Sequence, residues 1–357
     1  MALIRKRRLT HQQERRIEKQ QKNRQQEFDN NLDIEGLVVQ HYGRQLEVQV
    51  RSLPESMPEK PATIEGEPEA FWRPIVLDEV WRCHTRTNLD ALVTGDKVTW
   101  QADPNTGLGI ITALHPRESL LSRPDRYHKL KPVAANVNLI VIVFSPYPEV
   151  SPMLIDRYLV ACTTAGIEPL LVLNKADLLE QNSTALDVLK EYETLGYRTC
   201  ITQANANDDS EYHPKFLSEL IAGKTVAFVG QSGVGKSSLI NTIIPEAAQK
   251  TNIISENSAL GQHTTTSTRL IQFGENGALI DSPGIREFGL WHLTAQNIYA
   301  GFPEFQQFYG LCQFRNCTHQ HEKKCALRLA AEDGEIMIRR LDSMNRLINE
   351  LEEAEKS

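Results

Sequence analysis

Apolar and polar residues alternate along several short segments in the first third of the chain, beginning at Gly36. GLVVQHYG and QLEVQVRS flank a Tyr-Gly turn and therefore predict a β-hairpin. Three more segments of this kind follow (PIVLDEVWRCHT, DKVTWQAD and GLGIITALH), and the turn signals TGD and DPNTG lie between them. About five short strands without a helix-period stretch predict a β-barrel of the oligonucleotide-binding (OB-fold) type over residues 35–116, with an SH3-like barrel as the alternative.

From Val137 the pattern changes to continuous apolar runs that alternate with helix-period segments. VNLIVIVF, IEPLLVLN and KTVAFVG have the composition of parallel strands that are buried on both faces. SPMLIDRYLVACTTAG between the first two runs has apolar positions at helical spacing, and further helices are predicted at Ser183–Leu195 and Pro214–Leu220. This alternation predicts a doubly wound α/β domain over residues 137–290.

Three segments lie outside these two domains. Residues 1–34 are rich in Gln, Lys and Arg and predict a disordered arm, because this composition cannot bury a core. Residues 117–136 are polar, basic and proline-containing, which predicts a linker. Residues 291–357 predict a helical C-terminal domain that ends in an amphipathic helix, and we expect this helix to pack on the α/β domain rather than bind a partner helix. Its apolar positions are Ile336, Ile338, Leu341, Met344, Leu347, Ile348 and Leu351.

The charge of the chain is unevenly distributed. Residues 1–24 hold nine Lys/Arg and two Glu, so they carry +7 and the rest of the chain −14 within a net charge of −7. Such an arm is expected to gain affinity for nucleic acid by displacing counterions from phosphates, although a solvated tail has the same composition. No apolar run is long enough to span a bilayer and the N-terminus resembles no signal peptide, so we expect a cytoplasmic protein without a membrane partner.

A phosphate-binding loop is predicted by GQSGVGKS, which fits the pattern G-x-x-x-x-G-K-[ST] between the strand KTVAFVG and the helix SSLINTII. Its glycines allow backbone N–H groups to turn toward phosphates, Lys236 supplies charge to the β and γ oxygens, and the Ser237 hydroxyl can ligate Mg²⁺. The residues predicted to contact nucleotide here are Gly230, Gln231, Ser232, Gly233, Val234, Gly235, Lys236, Ser237 and Ser238.

The base is predicted from NKAD, which follows the buried strand LLVL. Asp177 can accept two hydrogen bonds from the N1–H and exocyclic amine of guanine, whereas adenine lacks this donor pair. We expect Asn174 to brace the base and the phosphate loop and the Lys175 stem to cover the base face. Ala176, between Lys175 and Asp177, is also predicted to contact the nucleotide. An ordinary helix N-cap could produce the same four letters, but the phosphate loop in the same domain favours a guanine site.

Two further segments predict contacts to the γ-phosphate and its metal. DSPG follows the strand ALI and fits D-x-x-G, in which Asp281 reaches Mg²⁺ through water and the Gly284 N–H meets the γ-phosphate. In GQHTTTSTRL, Thr265 or a neighbouring Thr is expected to ligate Mg²⁺ when GTP is bound. A plain turn and a flexible Ser/Thr loop are the simpler interpretations of these segments.

The residue after Gly284 is Ile285, where small GTPases usually place the glutamine that positions water. An isoleucine cannot orient water, so the catalytic group is expected elsewhere. His263 in the neighbouring Ser/Thr segment is the candidate, and a purely structural histidine is the alternative. Slow hydrolysis that a partner accelerates is the expected consequence.

A cysteine and histidine cluster near the C-terminus predicts a metal site. CQFRNCTHQHEKKC places Cys312, Cys317, His319 and Cys325 at the spacing C-x4-C-x-H-x5-C, and His321 could replace His319. Three thiolates and one imidazole form a closed tetrahedral site for one structural Zn²⁺, whereas the alternative is three reduced thiols that lie together by chance. The basic residues around the cluster are Arg315, Lys323 and Lys324, and they suit RNA.

The motifs stand in the order NKAD, GQSGVGKS, TTT and DSPG, with a barrel before them and a Cys3His cluster after them. This arrangement resembles the circularly permuted family of ribosome small-subunit-dependent GTPase A (RsgA, or YjeQ) from about residue 35 onward. The resemblance implies a monomer that binds the small ribosomal subunit and its rRNA late in assembly, hydrolyses GTP to GDP and phosphate when so bound, and leaves as the subunit matures. It also implies nucleotide contacts at 174–177 and 230–238, zinc ligands at the four cluster residues, a hydrophobic residue at Ile285 and a histidine at His263.

Two other functions remain open at the sequence level. One is a non-enzymatic rRNA-binding protein in which GTP only fixes the conformation, and the other is a P-loop kinase or ATPase without guanine preference. The permuted order adds one hypothesis, because DSPG runs directly into the C-terminal domain. A change of nucleotide could therefore move that domain.

Overall fold

The computed structural model describes residues 33–42, 45–54, 57–61, 71–86, 89–124, 129–247, 268–282, 285 and 293–356. The predicted basic arm lies outside the described residues up to residue 32, and so do His263, Thr265 and Gly284. Asp33 and Ile34, which the sequence assigns to the arm, already belong to the first strand.

A closed five-stranded barrel forms the N-terminal part. Its strands are β1 (Asp33–Tyr42), β2 (Gln45–Val50), β3 (Val80–Thr85), β4 (Lys97–Asp103) and β5 (Leu108–Leu114). They pair in the order β1-β2-β3-β5-β4, and β4 returns to β1. The pairing of β3 with β5 is parallel, which favours the predicted OB-type barrel over an SH3-like meander of antiparallel neighbours.

The barrel interior is filled by alternate residues of the strands, as the period-two pattern predicts. Trp81 and Trp100 are fully buried, and their ring centroids lie 5.6 Å apart. Gly109 on β5 makes room for them, because a Cβ there would lie 2.6 Å from the Trp100 ring.

The segment 117–136, for which the sequence predicts a linker, contains a packed hairpin of β6 (Leu120–Pro124) and β7 (Leu130–Ala135). Leu121, Ala134 and Ala135 are buried in it. A run of charged residues and prolines lies between Leu121 and Val133, so the sequence pattern does not reveal the hairpin.

Six strands form the sheet of the α/β domain in the part of the chain that the structure describes. They are β8 (Leu139–Phe144), β9 (Glu168–Leu173), β10 (Thr199–Ile201), β11 (Thr225–Val229), β12 (Arg269–Phe273) and β13 (Gly277–Asp281). The order is β10-β9-β8-β11-β13-β12, with β12 antiparallel and the other pairings parallel. Every residue of β8 is buried, as expected for a strand that helices cover on both faces. The carboxyl ends of β8, β9, β11 and β13 therefore meet at one edge, where ligands bind in such sheets.

Among the described residues of the domain, four helices cover this sheet. They are α1 (Pro152–Ala165), α2 (Thr184–Thr194), α3 (Lys215–Ile221) and α4 (Lys236–Ile243). The bounds of α1 follow from its caps: the Ser151 hydroxyl accepts a hydrogen bond from the Leu154 N–H, Pro152 occupies the first turn, and Gly166 ends the helix in a left-handed conformation. The two helices predicted from periodicity differ from α2 and α3 by one residue at each end.

The C-terminal part is helical, as predicted. It contains α5 (Ala295–Ala300), a 3₁₀ segment (Pro303–Phe308), α6 (Ala326–Glu332) and α7 (Ile338–Lys356). Leu341, Met344, Leu347 and Ile348 of α7 are buried in one core with residues of α1 and α2, so the last helix packs on the α/β domain. Ile338 is 60% exposed and does not belong to this face, because it is the first residue of the helix. None of the described helices is long and apolar enough to cross a membrane.

Candidate nucleotide and metal sites

The phosphate loop connects β11 to α4. Gly230, Gly233 and Gly235 have φ values of 137°, 85° and 91°, a region that favours glycine. A Cβ at Gly230 would lie 2.0 Å from the Val143 carbonyl oxygen, and one at Gly235 would lie 2.5 Å from Asn174 Nδ2. The glycines of the motif are therefore required by both the backbone conformation and the close approach of β8 and Asn174.

The side chains of the phosphate loop are placed for a ligand at the surface. Lys236 Nζ donates to the carbonyl oxygens of Gly230 at 2.8 Å and Gln231 at 2.7 Å, so its ammonium group lies over the loop. Val234 is buried and anchors the loop. The exposed residues are Gln231, Ser232, Gly233, Ser237 and Ser238. A cation above exposed, turned backbone is the arrangement that binds phosphates in P-loop proteins.

Asn174 connects the guanine motif to the phosphate loop. It is 1% exposed at the end of β9, and its Nδ2 donates to the Val234 carbonyl at 3.0 Å. Thr202 Oγ1 donates in turn to Asn174 Oδ1 at 3.2 Å, so both ends of the amide are held. Asn174 thus links two segments that lie 60 residues apart in the chain, while its predicted contact with the base stays a prediction.

Lys175 also connects the guanine motif to the phosphate loop. Its backbone is left-handed with φ 61°, and its Nζ donates to the carbonyl oxygens of Tyr147 at 2.8 Å and Gly233 at 2.6 Å. Asp177 lies in a 3₁₀ turn (Ala176–Leu178) and is exposed. Lys175 and Asp177 are thus close together on this turn, and their contacts with a guanine base stay a prediction.

Sequence reasoning missed Tyr147 and Thr202. Thr202 is fully buried, its N–H donates to the Leu173 carbonyl at 2.8 Å, and its own carbonyl accepts from the Ala176 N–H at 3.1 Å. It follows β10 directly, at the edge where the other strands carry their motifs. A polar residue at the end of each parallel strand was the signal that could have identified it.

The ends of the two γ-phosphate segments meet beside β13. Asp281 is the last residue of β13, and the buried Ser282 follows it. Ser282 Oγ lies 2.8 Å from the Oγ1 of Thr268, the first described residue of the Ser/Thr segment. Ile285 is 3% exposed and belongs to the core shared with the C-terminal helices. Its side chain therefore lies in the core, away from solvent.

The four cluster residues lie together in the C-terminal part. Their ligand atoms are all within 4.8 Å of one another, and three separations are 3.5 Å (Cys312 Sγ to His319 Nδ1), 4.0 Å (Cys312 Sγ to Cys325 Sγ) and 3.2 Å (His319 Nδ1 to Cys325 Sγ). Tetrahedral Zn²⁺ with bonds of about 2.0–2.3 Å requires separations of about 3.5–3.8 Å. The donor set therefore fits a closed zinc site, and it uses His319, while His321 is not among the four.

The surroundings of His319 favour metal binding. Burial lowers the pKa of His319, which keeps the imidazole in the neutral form that a metal requires. Asn345 Nδ2 on α7 donates to the His319 carbonyl at 3.3 Å, and Gln320 Nε2 donates to Asn349 Oδ1 at 2.9 Å. The cluster is thus attached to the last helix.

A family model and a curated relative agree on the family to which this chain is similar. A family model described as RsgA GTPase matches residues 114–291. The curated protein "Small ribosomal subunit biogenesis GTPase RsgA" of Pseudomonas fluorescens is 48% identical over 318 residues, which cover 88% of this chain and 85% of that protein.

Two solved structures share the fold. The crystal structure of YjeQ from Thermotoga maritima aligns with a TM-score of 0.66 and 27% identity, covering 90% of this chain and 99% of that one. YloQ, described as a circularly permuted GTPase, aligns with a TM-score of 0.63 and 27% identity, covering 91% of this chain and 97% of that one.

Proposed function

We propose that this chain, which belongs to the RsgA family, is a GTP hydrolase that acts in biogenesis of the small ribosomal subunit. The observation that carries the proposal is the contact of Asn174 with the Val234 carbonyl. It joins a guanine-reading segment and a phosphate-binding segment into one site, although they occur in permuted order.

GTP is the substrate that this site fits. Asp177 accepts hydrogen bonds from the N1–H and exocyclic amine of guanine, the Lys175 stem covers the base, and the backbone of 230–238 with Lys236 holds the phosphates. ATP would leave the Asp177 carboxylate without donors, which opposes its binding. Hydrolysis breaks the bond between the γ-phosphorus and the bridging oxygen and releases GDP and phosphate.

Ser237, Thr265 and Asp281 are the residues that would hold Mg²⁺, directly or through water, with Gly284 at the γ-phosphate. The metal supplies positive charge to the phosphate oxygens. Ile285 is apolar and buried, so the group that orients water has to come from another residue. We assign this role to His263.

The rest of the chain is assigned to binding. Cys312, Cys317, His319 and Cys325 would hold one structural Zn²⁺, and the ligand geometry supports this. Arg315, Lys323 and Lys324 are exposed around the cluster, and with the basic arm they suit contact with rRNA of the small subunit. We further propose that the protein acts as a monomer in the cytoplasm, where its partner is assembled.

The test is GTP turnover by the full chain with and without purified small subunits. We expect acceleration by subunits, competition by GTP and GDP but not ATP, and no measurable turnover for Lys236→Ala. Lys190→Ala on α2 is the matched control, because this lysine is exposed and belongs to none of the nucleotide-binding segments. Binding to subunits without accelerated turnover would instead favour an rRNA-binding protein in which GTP fixes the conformation.

His263→Ala tests the catalytic assignment. Groups that position water or move its proton contribute about 10²–10⁴-fold, so subunit-stimulated kcat should fall by at least about tenfold. GTP affinity should stay unchanged, since the base and phosphate contacts are elsewhere. Unchanged turnover would reject the role of His263 without affecting the assignment of the GTP site.

A further inference from the structure

A turn of the barrel, Val93 to Asp96, lies against the segments that flank the γ-phosphate site. Thr94 is 1% exposed, and its Oγ1 donates to the Thr268 carbonyl at 3.1 Å. Gly95 has φ 94°, and a Cβ at this position would lie 3.2 Å from Ile280 Cδ1 on β13. The barrel turn therefore contacts Ile280 on the strand that leads into DSPG, and it also contacts Thr268 of the Ser/Thr segment.

Hydrogen bonds fix the conformation of this turn, so a displacement of the barrel can be transmitted through it. Asp96 is fully buried, and its Oδ2 accepts from the Val93 N–H at 2.7 Å. Arg117 donates to both carboxylate oxygens of Asp96 at 2.7 and 2.8 Å, and the Ala135 N–H donates to the Thr94 carbonyl at 3.0 Å. The turn is also tied to β1 of the barrel, because the Gly95 N–H donates to the Val38 carbonyl at 2.8 Å and the Val38 N–H donates to the Asp96 carbonyl at 2.9 Å, so it follows the barrel when the barrel moves.

Thr268 extends this contact toward the nucleotide. Its carbonyl accepts from Thr94, while its hydroxyl lies 2.8 Å from the hydroxyl of Ser282. Ser282 follows Asp281, which is assigned to the metal of the nucleotide site. A continuous row of hydroxyl and carbonyl groups therefore leads from the barrel to the DSPG segment.

We propose that Thr94, Thr268 and Ser282 are positioning residues through which the barrel sets the geometry of the γ-phosphate site. The inference rests on the proposed function, since it assumes that GTP is hydrolysed at the nucleotide site, and it adds that the barrel contacts the small subunit. When the barrel binds the subunit, the turn shifts, and Thr268 and Ser282 shift with it. This shift brings the DSPG segment into the position that hydrolysis requires. Misplacement of a reacting group by about 1 Å can cost about 10²-fold in rate, so small displacements are sufficient.

Thr94→Val tests the row, because valine keeps the shape of threonine and removes the donor. We expect the subunit-stimulated kcat to fall about tenfold, while the half-saturating subunit concentration stays within about twofold. Thr112→Val is the matched control: Thr112 Oγ1 donates to the Thr99 carbonyl at 3.2 Å within the barrel. Equal kcat values for the two variants would overturn the proposal.

A second measurement does not depend on turnover. Hydrogen exchange at the amides of 94–96 should differ between the GDP form and a form with a non-hydrolysable GTP analogue, and Thr94→Val should abolish this difference. Identical protection in the wild-type protein would overturn the proposal. A nucleotide-dependent difference without acceleration by subunits would support the row of contacts and reject the proposed function instead.

A double-mutant cycle separates positioning from a general loss of stability. Thr94→Val and Ser282→Ala should be non-additive in stimulated kcat, because each breaks the same row, whereas Thr112→Val and Ser282→Ala should be additive. Additive effects in both cycles would contradict the proposal.

Discussion

The barrel and the C-terminal helices lie on either side of the nucleotide domain, and they contact it differently. At the barrel, Gln40 on β1 pairs with Arg269 on β12, the side-chain amides of Gln49 and Gln272 lie 2.8 Å apart, and Thr94 reaches Thr268. Leu37 and Val39 add only partly buried apolar contacts. A cavity of about 270 Å³ lies at this interface, and its lining includes Arg51, Lys97, His115 and Asn138.

At the C-terminal side, one apolar core continues from the α/β domain into α7, and an ionic network is buried inside it. Arg340 and Asp156 on α1 are both fully buried and form an ion pair. Arg340 also binds Glu304 at 2.6 Å, and Arg339 reaches Asp156 at 3.1 Å. Burial would lower the pKa of Arg340, but Asp156 and Glu304 raise it above its ordinary value, so the guanidinium stays charged.

The difference between the two interfaces indicates which of them needs less free energy to open when the bound nucleotide changes. Polar contacts beside a cavity can be exchanged for contacts with water at about 0.5–1.5 kcal/mol each. Separating α7 from α1 would expose a continuous apolar core to water and break the Arg340–Asp156 pair, which costs several times more. We therefore expect the barrel to move relative to the nucleotide domain, and the C-terminal helices to move only together with α1.

The hypothesis that DSPG moves the C-terminal domain directly has to meet this constraint. Ile285 follows the motif and is already buried in the core that α7 shares. A shift at DSPG would therefore reach the C-terminal helices as repacking within one core rather than as a hinge.

The largest expected effect is the loss of the buried charge pair. Arg340→Met removes the buried guanidinium from Asp156 and Glu304 and leaves the buried Asp156 paired with Arg339, and we expect a loss of about 3–5 kcal/mol in the free energy of unfolding. Urea unfolding of the full chain measures it. Arg346→Met is the matched control on the exposed face of α7, and it should stay within about 0.5 kcal/mol of wild type. Equal stabilities of the two variants would mean that the two interfaces do not differ as described.

A smaller effect is expected from Ile285→Gln, which places the usual water-positioning residue after DSPG. The amide would enter an apolar core, so we expect a loss of about 1–3 kcal/mol in stability. Turnover without subunits should not rise, because the side chain lies in the core. A rise in this turnover would show that position 285 can reach the nucleotide and would weaken the assignment to the shared core.

Much of this molecule could be predicted from local sequence patterns. The barrel strands follow from alternation, the buried strands from continuous apolar runs, and the family from the order of the motifs. These signals are local because each depends on a few neighbouring residues and on the side of an element that they face.

The interfaces could not be predicted in the same way. Thr94 belongs to TGD, which the sequence identifies only as a turn, and its contact with Thr268 joins residues 174 positions apart. The Arg340–Asp156 pair spans 184 positions, and a charged residue in an amphipathic helix normally predicts exposure. The β6–β7 hairpin was missed because its polar residues outnumber the buried ones. Such contacts depend on which elements meet in space, and one sequence does not carry this information.

The smallest expected effect tests the barrel side of the comparison. Gln49 is buried on β2, and its amide contacts Gln272 on β12. Gln49→Ala should lower the free energy of unfolding by about 1 kcal/mol or less. Gln101→Ala is the matched control, because Gln101 Nε2 donates to Asp33 Oδ1 at 2.8 Å within the barrel.

The two variants should differ in interdomain motion rather than in stability. With one spin label on the barrel and one on α2, the distance distribution should widen for Gln49→Ala and stay unchanged for Gln101→Ala, because only Gln49 crosses the interface. The same measurement with labels on α2 and α7 should show no change in either variant. The α2–α7 distance distribution could instead widen as much as the distribution between the barrel and α2. The C-terminal interface would then open as easily as the barrel interface, and nucleotide-dependent motion would be expected at both interfaces.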